Sequence, residues 1–169
     1  MAERIGELAL FNPAVDSKLR SCDSVKLRVK DVTRGAQVTA RAIVMQQKTG
    51  RPVQFEITEQ TRESVAAWVS HARRRTEDLL FPSRLRSSPH LSTRQYARMV
   101  RGWVREIGLN PADYGTHTLR RTKAALIYRG TKNLRAVQLL LGHSKLESTV
   151  RYLGIEVDDA LEMAEQTEV

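Results

Sequence analysis

In the last third of the chain stand His117-Thr118-Leu119-Arg120, then Leu141-Gly142-His143, and then Tyr152, nine residues after the second histidine. His117 and Arg120 are three residues apart, so they share one face if their segment is helical. Two histidines, an arginine and a tyrosine can together attack a phosphodiester without a metal. The arginine would hold phosphate oxygens, the histidines would exchange protons and donate hydrogen bonds, and the tyrosine would attack. These motifs predict phosphoryl-transfer chemistry.

The length of the chain predicts one domain with its own core, and the charge favours a nucleic-acid partner. The chain has 169 residues, of which 41% are hydrophobic, and this composition argues against disorder. Residues 156–169 contain six acidic residues and no Lys or Arg, so residues 1–155 hold 28 basic and 13 acidic residues, a net charge of +15. Such a field favours a polyanion. A solvated basic surface on an ordinary protein is the alternative.

The sequence predicts a cytoplasmic protein. No apolar run approaches the roughly 20 residues of a membrane span, and the N-terminus lacks the apolar stretch of a signal peptide. Cys22 is the single cysteine, so no disulfide can form within the chain. The histidines and the cysteine lack the spacing of a zinc site, and there is no glycine-rich phosphate loop. We therefore expect no metal and no cofactor.

The hydrophobic pattern predicts an α+β fold that is mainly α. A first helix is expected over residues 16–28. β-rich runs at 29–38, 40–46 and 52–57, with a hairpin turn at 48–51, predict a small three-stranded antiparallel sheet near the N-terminus. Apolar residues at helical spacing behind cap residues predict the other helices. These cover residues 58–75, 92–107, 116–130, 134–141, 146–152 and the acidic 157–166.

The motifs resemble those of the tyrosine recombinase (phage integrase) family from about residue 10 to 155. Four segments carry the resemblance: residues 117–122 for its His-x-x-Arg box, 139–143 for its Leu-Gly-His box, 149–152 for its nucleophile segment, and 19–32 for its first arginine box and the following strand. Lys48 is similar to the lysine of the family's hairpin. The resemblance implies the helical catalytic domain of this family and an enzyme that breaks and rejoins DNA.

The resemblance assigns Tyr152 as the nucleophile, which would form a 3′-phosphotyrosyl link with DNA. Arg20 and Arg120 would each offer paired donors to the phosphate oxygens and stabilise the charge of the transition state without a metal. His143 would donate a hydrogen bond to the same phosphate. Taken alone, Arg20 would instead be interpreted as a surface arginine paired with Asp23, and only the other motifs reverse that interpretation. The alternative for His143 is a cap after a helix.

Three further residues receive supporting roles. His117 would accept the tyrosine proton or orient Arg120. Lys48 would protonate the leaving 5′ oxygen, although Lys30 and Arg51 lie in the same β region and turn. Asp23 would orient Arg20 without taking part in the chemistry.

Other residues compete for the nucleophile role or extend the site. Tyr114 and Tyr128 are the rival tyrosines, and Tyr128 is expected to be packed on a helix with an apolar face. Basic residues outside the motifs are candidate DNA contacts: Arg73, Arg74, Arg75, Arg84, Arg86 and Arg121.

The resemblance implies double-stranded DNA as the substrate, other protomers as partners in a tetramer on a recombining synapse, and a nucleoid-associated location. Residues 1–155 would form the catalytic domain, and the N-terminal DNA-binding domain of the family is expected to be absent. Residues 156–169 would form an acidic helix that docks on a neighbouring protomer or folds back on its own domain. Two residues depart from the family pattern. Lys18 stands where the family usually has a glycine or a similar small residue, and Arg121 stands where it often has a histidine.

Three other functions remain open at this level. A type IB topoisomerase has the same chemistry but reseals the same ends. A non-catalytic DNA-binding protein derived from an integrase would act as a regulator or an assembly partner and would not need Tyr152. An unrelated basic domain that binds RNA or DNA would form no covalent intermediate.

Overall fold

The computed structural model describes residues 2–84 and 88–155, together with residues 161 and 165, and it is mainly helical. The helices in these ranges are α1 (Ala2–Ser17), α2 (Ser21–Ser24), α3 (Val29–Val32), α4 (Glu59–His71), α5 (Thr93–Glu106), α6 (Thr116–Thr131), α7 (Leu134–Leu141) and α8 (Leu146–Leu153). The strands are β1 (Thr33–Arg34), β2 (Gln37–Val38), β3 (Arg41–Met45) and β4 (Pro52–Glu56). The predicted fold class is confirmed.

The helices predicted between residues 58 and 152 are confirmed, with shifts at their ends. α5 follows Ser92, whose Oγ accepts a hydrogen bond from the backbone N of Gln95 at 3.1 Å. α7 follows Asn133, whose Oδ1 accepts one from the backbone N of Ala136 at 2.9 Å. It ends at Gly142, whose φ of +66° lies in the left-handed region that favours glycine. Local capping chemistry therefore places these boundaries.

The prediction of one helix over residues 16–28 is wrong. α1 lies mostly before this range and ends where Lys18 turns the chain with a φ of +54°. Beyond that turn only the single-turn α2 is helical before residue 28. Leu19, Val25 and Leu27 are nevertheless all buried. Their spacing indicated burial correctly, but a turn followed by a short helix buries them as well as a continuous helix would.

The predicted three-stranded sheet is instead two separate two-stranded hairpins. β1 pairs with β2 and β3 pairs with β4, both antiparallel, and the second pair is in register over five residues. The run that starts at residue 29 begins as the helical turn α3, because Asp31 Oδ2 accepts a hydrogen bond from the backbone N of Arg28 at 2.7 Å. The hairpin turn between β3 and β4 is confirmed, with Gly50 at a φ of +63°.

Among the residues that the structure describes, apolar side chains form two cores. The larger core lies among α1, α4, α5 and the β3–β4 hairpin and includes Leu10, Phe55 and Tyr96. The smaller core lies among α6, α7 and α8. Its buried members are Ala124, Tyr128, Val137 and Leu141, against which Ile127, Leu134, Tyr152, Leu153 and Ile155 pack. The smaller core therefore holds the helix of Tyr152 against the helix of Arg120.

One buried carboxylate joins three helices. Asp16 on α1 accepts hydrogen bonds at Oδ2 from the backbone N of Thr58 (2.9 Å), from Thr58 Oγ1 (2.7 Å) and from Thr61 Oγ1 (2.6 Å), all at the start of α4. Lys123 Nζ on α6 lies 2.6 Å from Asp16 Oδ1. Burial raises the pKa of Asp16, but Lys123 and the threonine hydrogen bonds outweigh it and hold the pKa below its ordinary value.

The acidic helix expected over residues 157–166 lies outside the described residues except at 161 and 165, which are helical and exposed. Among the helices that the structure describes, none combines the length and the apolar composition needed to cross a membrane.

Candidate active site

Arg120 is fixed by two backbone carbonyls from distant parts of the chain. It lies on α6, one turn after His117, and is only 4% exposed. Its Nε donates to the carbonyl oxygen of Lys18 at 2.6 Å, and its Nη2 donates to that of Leu141 at 2.9 Å. Burial lowers the pKa of Arg120, and the hydroxyl of Tyr152 opposes this change. The guanidinium is thus held in one orientation, with Nη1 left to contact a ligand.

Tyr152 lies on α8 beside both Arg120 and His143. The Arg120 Cζ atom is 5.4 Å from the centroid of the Tyr152 ring, within cation–π range. The His143 ring centroid is also 5.4 Å from it, with the two rings nearly perpendicular. The Tyr152 hydroxyl oxygen is buried, and it has no hydrogen-bond partner among residues 2–84 and 88–155. Such a buried oxygen costs on the order of 1–3 kcal/mol until a partner satisfies it.

His143 follows the glycine that ends α7 and is held by a buried threonine. Its Nδ1 lies 3.1 Å from the Oγ1 of Thr149, which is 0% exposed. Burial lowers the pKa of His143 to about 4, and the nearby cations Arg120 and Arg20 act in the same direction. The ring is therefore neutral at pH 7. Because Thr149 occupies Nδ1, the other ring nitrogen, Nε2, is the one that remains to contact a ligand.

Arg20 reaches the site through a buried glutamine that the sequence did not reveal. Arg20 Nη1 donates to Gln46 Oε1 at 2.7 Å, and Thr49 Oγ1 donates to the same oxygen at 3.0 Å. Gln46 Nε2 donates to the carbonyl oxygen of Leu141 at 3.4 Å, the oxygen that also accepts from Arg120. Gln46 is 1% exposed. It therefore connects the Arg20 turn, the β3–β4 hairpin and the end of α7.

Three arginines partly offset the effect of burial on the pKa of the Tyr152 phenol. Burial raises the pKa of Tyr152, whereas Arg120, Arg121 and Arg20 lower it, and the net direction is upward. In the described structure Tyr152 is therefore a neutral phenol at pH 7, and it needs a base before it can attack.

His117 and Lys48 are exposed residues for which the described structure gives no bond to Tyr152. His117 is exposed in the first turn of α6, and Lys48 is exposed in the turn between β3 and β4. Among the described residues no hydrogen bond or ion pair links either side chain to Arg120, His143 or Tyr152. Their positions on α6 and on the hairpin are as predicted from the sequence, but the roles stay predictions.

Asp23 has a different partner from the one predicted. Its Oδ1 accepts a hydrogen bond from the backbone N of Gln47 at 2.9 Å, while Arg20 uses Gln46. Asp23 therefore anchors the hairpin turn to α2, because its carboxylate bonds the backbone next to Lys48. Its Oδ2 is buried and has no partner within the described part of the chain.

The rival tyrosines lie in the two cores. Tyr128 is 9% exposed and belongs to the smaller core, as expected from its apolar helix face. Tyr114 packs against the larger core. Within the described ranges, no group of three or more His, Cys, Asp or Glu residues is placed to hold a metal ion.

The candidate DNA-binding arginines differ in exposure and in their hydrogen-bond partners. α4 ends at His71, before the basic cluster, and Arg73 has a φ of +49°. Arg73 and Arg75 are exposed, whereas the Nε of Arg74 is buried and lacks a partner among the described residues. Arg84 is exposed, and Arg86 lies outside the described residues. Arg121 donates from Nη2 to the carbonyl oxygen of Leu153 at 3.0 Å.

Known proteins are similar to this chain in sequence and in fold. The chain is 31% identical over 149 residues to the probable integrase/recombinase YoeC of Bacillus subtilis (strain 168), covering 88% of this chain and 77% of YoeC. It is 28% identical over 149 residues to the tyrosine recombinase XerC of Erythrobacter litoralis (strain HTCC2594), covering 88% of this chain and 46% of XerC.

A solved structure of the XerH site-specific recombinase, bound to its difH substrate before cleavage, superimposes on 96% of this chain and 47% of XerH. The TM-score is 0.76 at 21% identity. The chain thus spans about half the length of XerC and of XerH. A sequence model described as the phage integrase family matches residues 2–157. The chain therefore belongs to the phage integrase family and is a tyrosine recombinase catalytic domain.

Proposed function

We propose that this chain cuts and rejoins DNA strands as the catalytic domain of a site-specific recombinase or integrase, with Tyr152 as the nucleophile. One observation carries the proposal: Arg120 and His143 each lie 5.4 Å from the ring of Tyr152, although the three come from α6, the end of α7 and α8. A buried cation, a neutral imidazole and an unsatisfied phenol around one point fit attack on a phosphodiester.

In the proposed reaction Tyr152 Oη forms a bond to phosphorus while the bond from phosphorus to the 5′ oxygen breaks. The phenol gives up its proton, and the leaving 5′ oxygen takes one up. A 5′-hydroxyl from a partner strand then attacks the phosphotyrosine and releases Tyr152. The phosphotyrosine conserves the energy of the broken bond, so the exchange needs no nucleotide cofactor.

The two arginines would stabilise the charge that grows on the non-bridging oxygens. Two of the five N–H donors of Arg120 are held by the carbonyls of Lys18 and Leu141, which leaves Nη1 for a phosphate. Arg20 would add donors from the side of Gln46, which fixes its Nη1. His143 would donate from Nε2, because Nδ1 is engaged with Thr149. Donors that are already oriented avoid reorganisation when the charge develops.

His117 would take the proton of Tyr152 or orient Arg120, and Lys48 would protonate the leaving oxygen. Both side chains are exposed, so a bound DNA strand can recruit them without disrupting the core. Both neighbours of Lys48 are anchored, since the backbone N of Gln47 donates to Asp23 and the hydroxyl of Thr49 donates to Gln46. This anchorage supports a defined reach for Lys48.

Double-stranded DNA is the proposed substrate, as the net charge of +15 over residues 1–155 favours a polyanion. Arg73, Arg75, Arg84 and Arg86 would contact phosphates, and each lost contact should lower the salt slope of binding by about one unit. Other protomers would assemble on DNA as a tetramer, and the acidic residues 156–169 would dock between neighbours. The protein would act at the nucleoid, where its substrate is.

The test is covalent capture of DNA. The protein is mixed with fragmented genomic DNA of its source organism, quenched in SDS and compared with Tyr152→Phe, with Tyr114→Phe as a matched control. We expect a DNA-linked band for the wild type and for Tyr114→Phe that disappears in Tyr152→Phe. Sequencing the captured DNA would identify the site.

Two other results would contradict the proposal. A wild-type chain that shifts DNA in a gel but captures none would be a non-catalytic DNA-binding protein. A chain that captures DNA and relaxes a supercoiled plasmid, but never joins strands from two duplexes, would be a topoisomerase.

A further inference from the structure

Arg121 closes the end of the helix that carries Tyr152. α8 ends at Leu153, and the carbonyl oxygen of Leu153 accepts a hydrogen bond from Arg121 Nη2 at 3.0 Å. Gly154 follows at a φ of +67°, and a Cβ atom placed there would lie 2.9 Å from the same Nη2 atom. The guanidinium therefore packs directly against the C-terminal cap of α8, where it satisfies a carbonyl that has no partner within the helix.

The charge of Arg121 suits this place for a second reason. The C-terminus of a helix bears a partial negative charge, which a cation stabilises. Tyr152 precedes the capped carbonyl by one residue, and Arg121 is among the cations that lower the pKa of its buried phenol. Arg121 also follows Arg120 directly on α6, so the two neighbours bind two different segments: Arg120 holds the end of α7 through Leu141, and Arg121 holds the end of α8.

We infer that Arg121 is a positioning residue for the nucleophile, which ties the C-terminus of α8 to α6 and so sets where the Tyr152 hydroxyl lies relative to Arg120. This inference rests on the proposed function of Tyr152. It is an alternative to the sequence-based prediction that Arg121 is a DNA contact, and it is argued from the bond to Leu153 within the chain. The adjacent glycine leaves room for the guanidinium that another residue would fill.

The functional test separates positioning from phosphate binding. Single-turnover cleavage at saturating DNA and the salt dependence of DNA affinity are measured for wild type, Arg121→Ala and Arg121→Lys. Arg129→Ala serves as a control, because Arg129 is an exposed arginine on the same helix. We expect Arg121→Ala to cleave about tenfold more slowly with an unchanged salt slope. Arg121→Lys should recover part of the rate, and Arg129→Ala should match the wild type.

An activity-independent measurement keeps the inference testable if the wild type captures no DNA. Amide hydrogen exchange of Gly154 and Ile155, whose N–H groups bond the carbonyls of Arg151 and Val150, should be about tenfold faster in Arg121→Ala. Unchanged exchange overturns the proposed cap. Wild-type cleavage in Arg121→Ala overturns the positioning role, and a salt slope lower by about one unit assigns Arg121 to a phosphate. Failure of wild-type capture alone counts against the proposed function only.

Discussion

Replacing the buried Lys18 by methionine should stabilise the protein at neutral pH. Lys18 is 2% exposed, and its Nζ donates to the backbone carbonyl of Asp16 at 2.5 Å. Burial lowers the pKa of Lys18 from 10.5 to about 8, and the nearby Lys123 acts in the same direction. Keeping this amine charged at pH 7 therefore costs about 3 kcal/mol of folding free energy. Methionine has a similar unbranched shape and no charge, so Lys18→Met removes that cost.

The lowered pKa of Lys18 determines how the stability difference between the wild type and Lys18→Met changes with pH. Between about pH 8 and 10.5 the unfolded chain binds more protons at Lys18 than the folded chain does, so the stability of the wild type rises with pH. The cost is fully present below about pH 8 and is lost above 10.5. The advantage of Lys18→Met should therefore shrink from about 3 kcal/mol at pH 7 to about 1 kcal/mol at pH 10, apart from a constant packing difference.

Urea unfolding of both proteins at the two pH values measures this difference, because the other titrating groups are common to both chains. Cleavage should persist in Lys18→Met, since Arg120 binds the backbone carbonyl of residue 18 and not its side chain. A stability difference that stays constant between pH 7 and pH 10 would refute the reasoning. It would mean that the amine is solvated or well paired in the folded chain.

Three further changes probe the site. Gln46→Met should slow single-turnover cleavage about tenfold or more and leave DNA affinity nearly unchanged, because it removes the hydrogen-bond partner of the Arg20 guanidinium. Gln54 is exposed on the same hairpin, so Gln54→Met should have no effect. Gly142→Ala should lower the free energy of unfolding by about 2–4 kcal/mol, because its Cβ would lie 2.7 Å from a β4 methyl. Gly108 has a φ of +77° and no atom near the position that a Cβ would take, so Gly108→Ala should lower the free energy of unfolding by only about 1 kcal/mol. Urea unfolding measures both glycine variants. NMR titration of His143 should give a midpoint near pH 4, and a midpoint above 6 would contradict a half-buried neutral ring.

The sequence predicted the second half of the fold well because its boundaries depend on local chemistry. Ser92 and Asn133 cap α5 and α7 with their own side chains, and Gly142 supplies the left-handed residue that ends α7. Such signals act over a few residues, so they can be recognised without knowledge of the tertiary structure.

The first third of the chain was harder to predict because its boundaries depend on distant residues. α1 contains Pro13, which argues against a helix when seen in sequence alone. The turn at Lys18 places a non-glycine residue at a positive φ, and its carbonyl is bound by Arg120, 102 residues away. The start of α3 is held to a distant segment, because the backbone N of Val29 donates to the carbonyl oxygen of Asp78. None of these partners is visible in a local pattern.

The candidate site follows the same division. Arg120, His143 and Tyr152 were identified from their motifs, and the structure brings them together. Gln46 was missed because a glutamine at the end of an amphipathic strand is usually exposed, and only the approach of Arg20 and Leu141 buries it. The two-residue alternation of the strand is the signal that could have found it, because Gln46 continues the inward face of Ala42 and Val44 directly before the predicted turn.

The carboxylate of Asp16 bears on how fragments of this protein should be designed. A boundary drawn at the first motif, near Arg20, would discard α1 and with it the acceptor for the N-terminal amide and hydroxyl groups of α4. It would also leave Lys123, on the helix of Arg120, without its counter-ion. Expression fragments, split-protein designs and domain chimaeras should therefore be joined upstream of α1, since a shorter piece would contain every motif and still lack an anchor of the helix that presents Arg120.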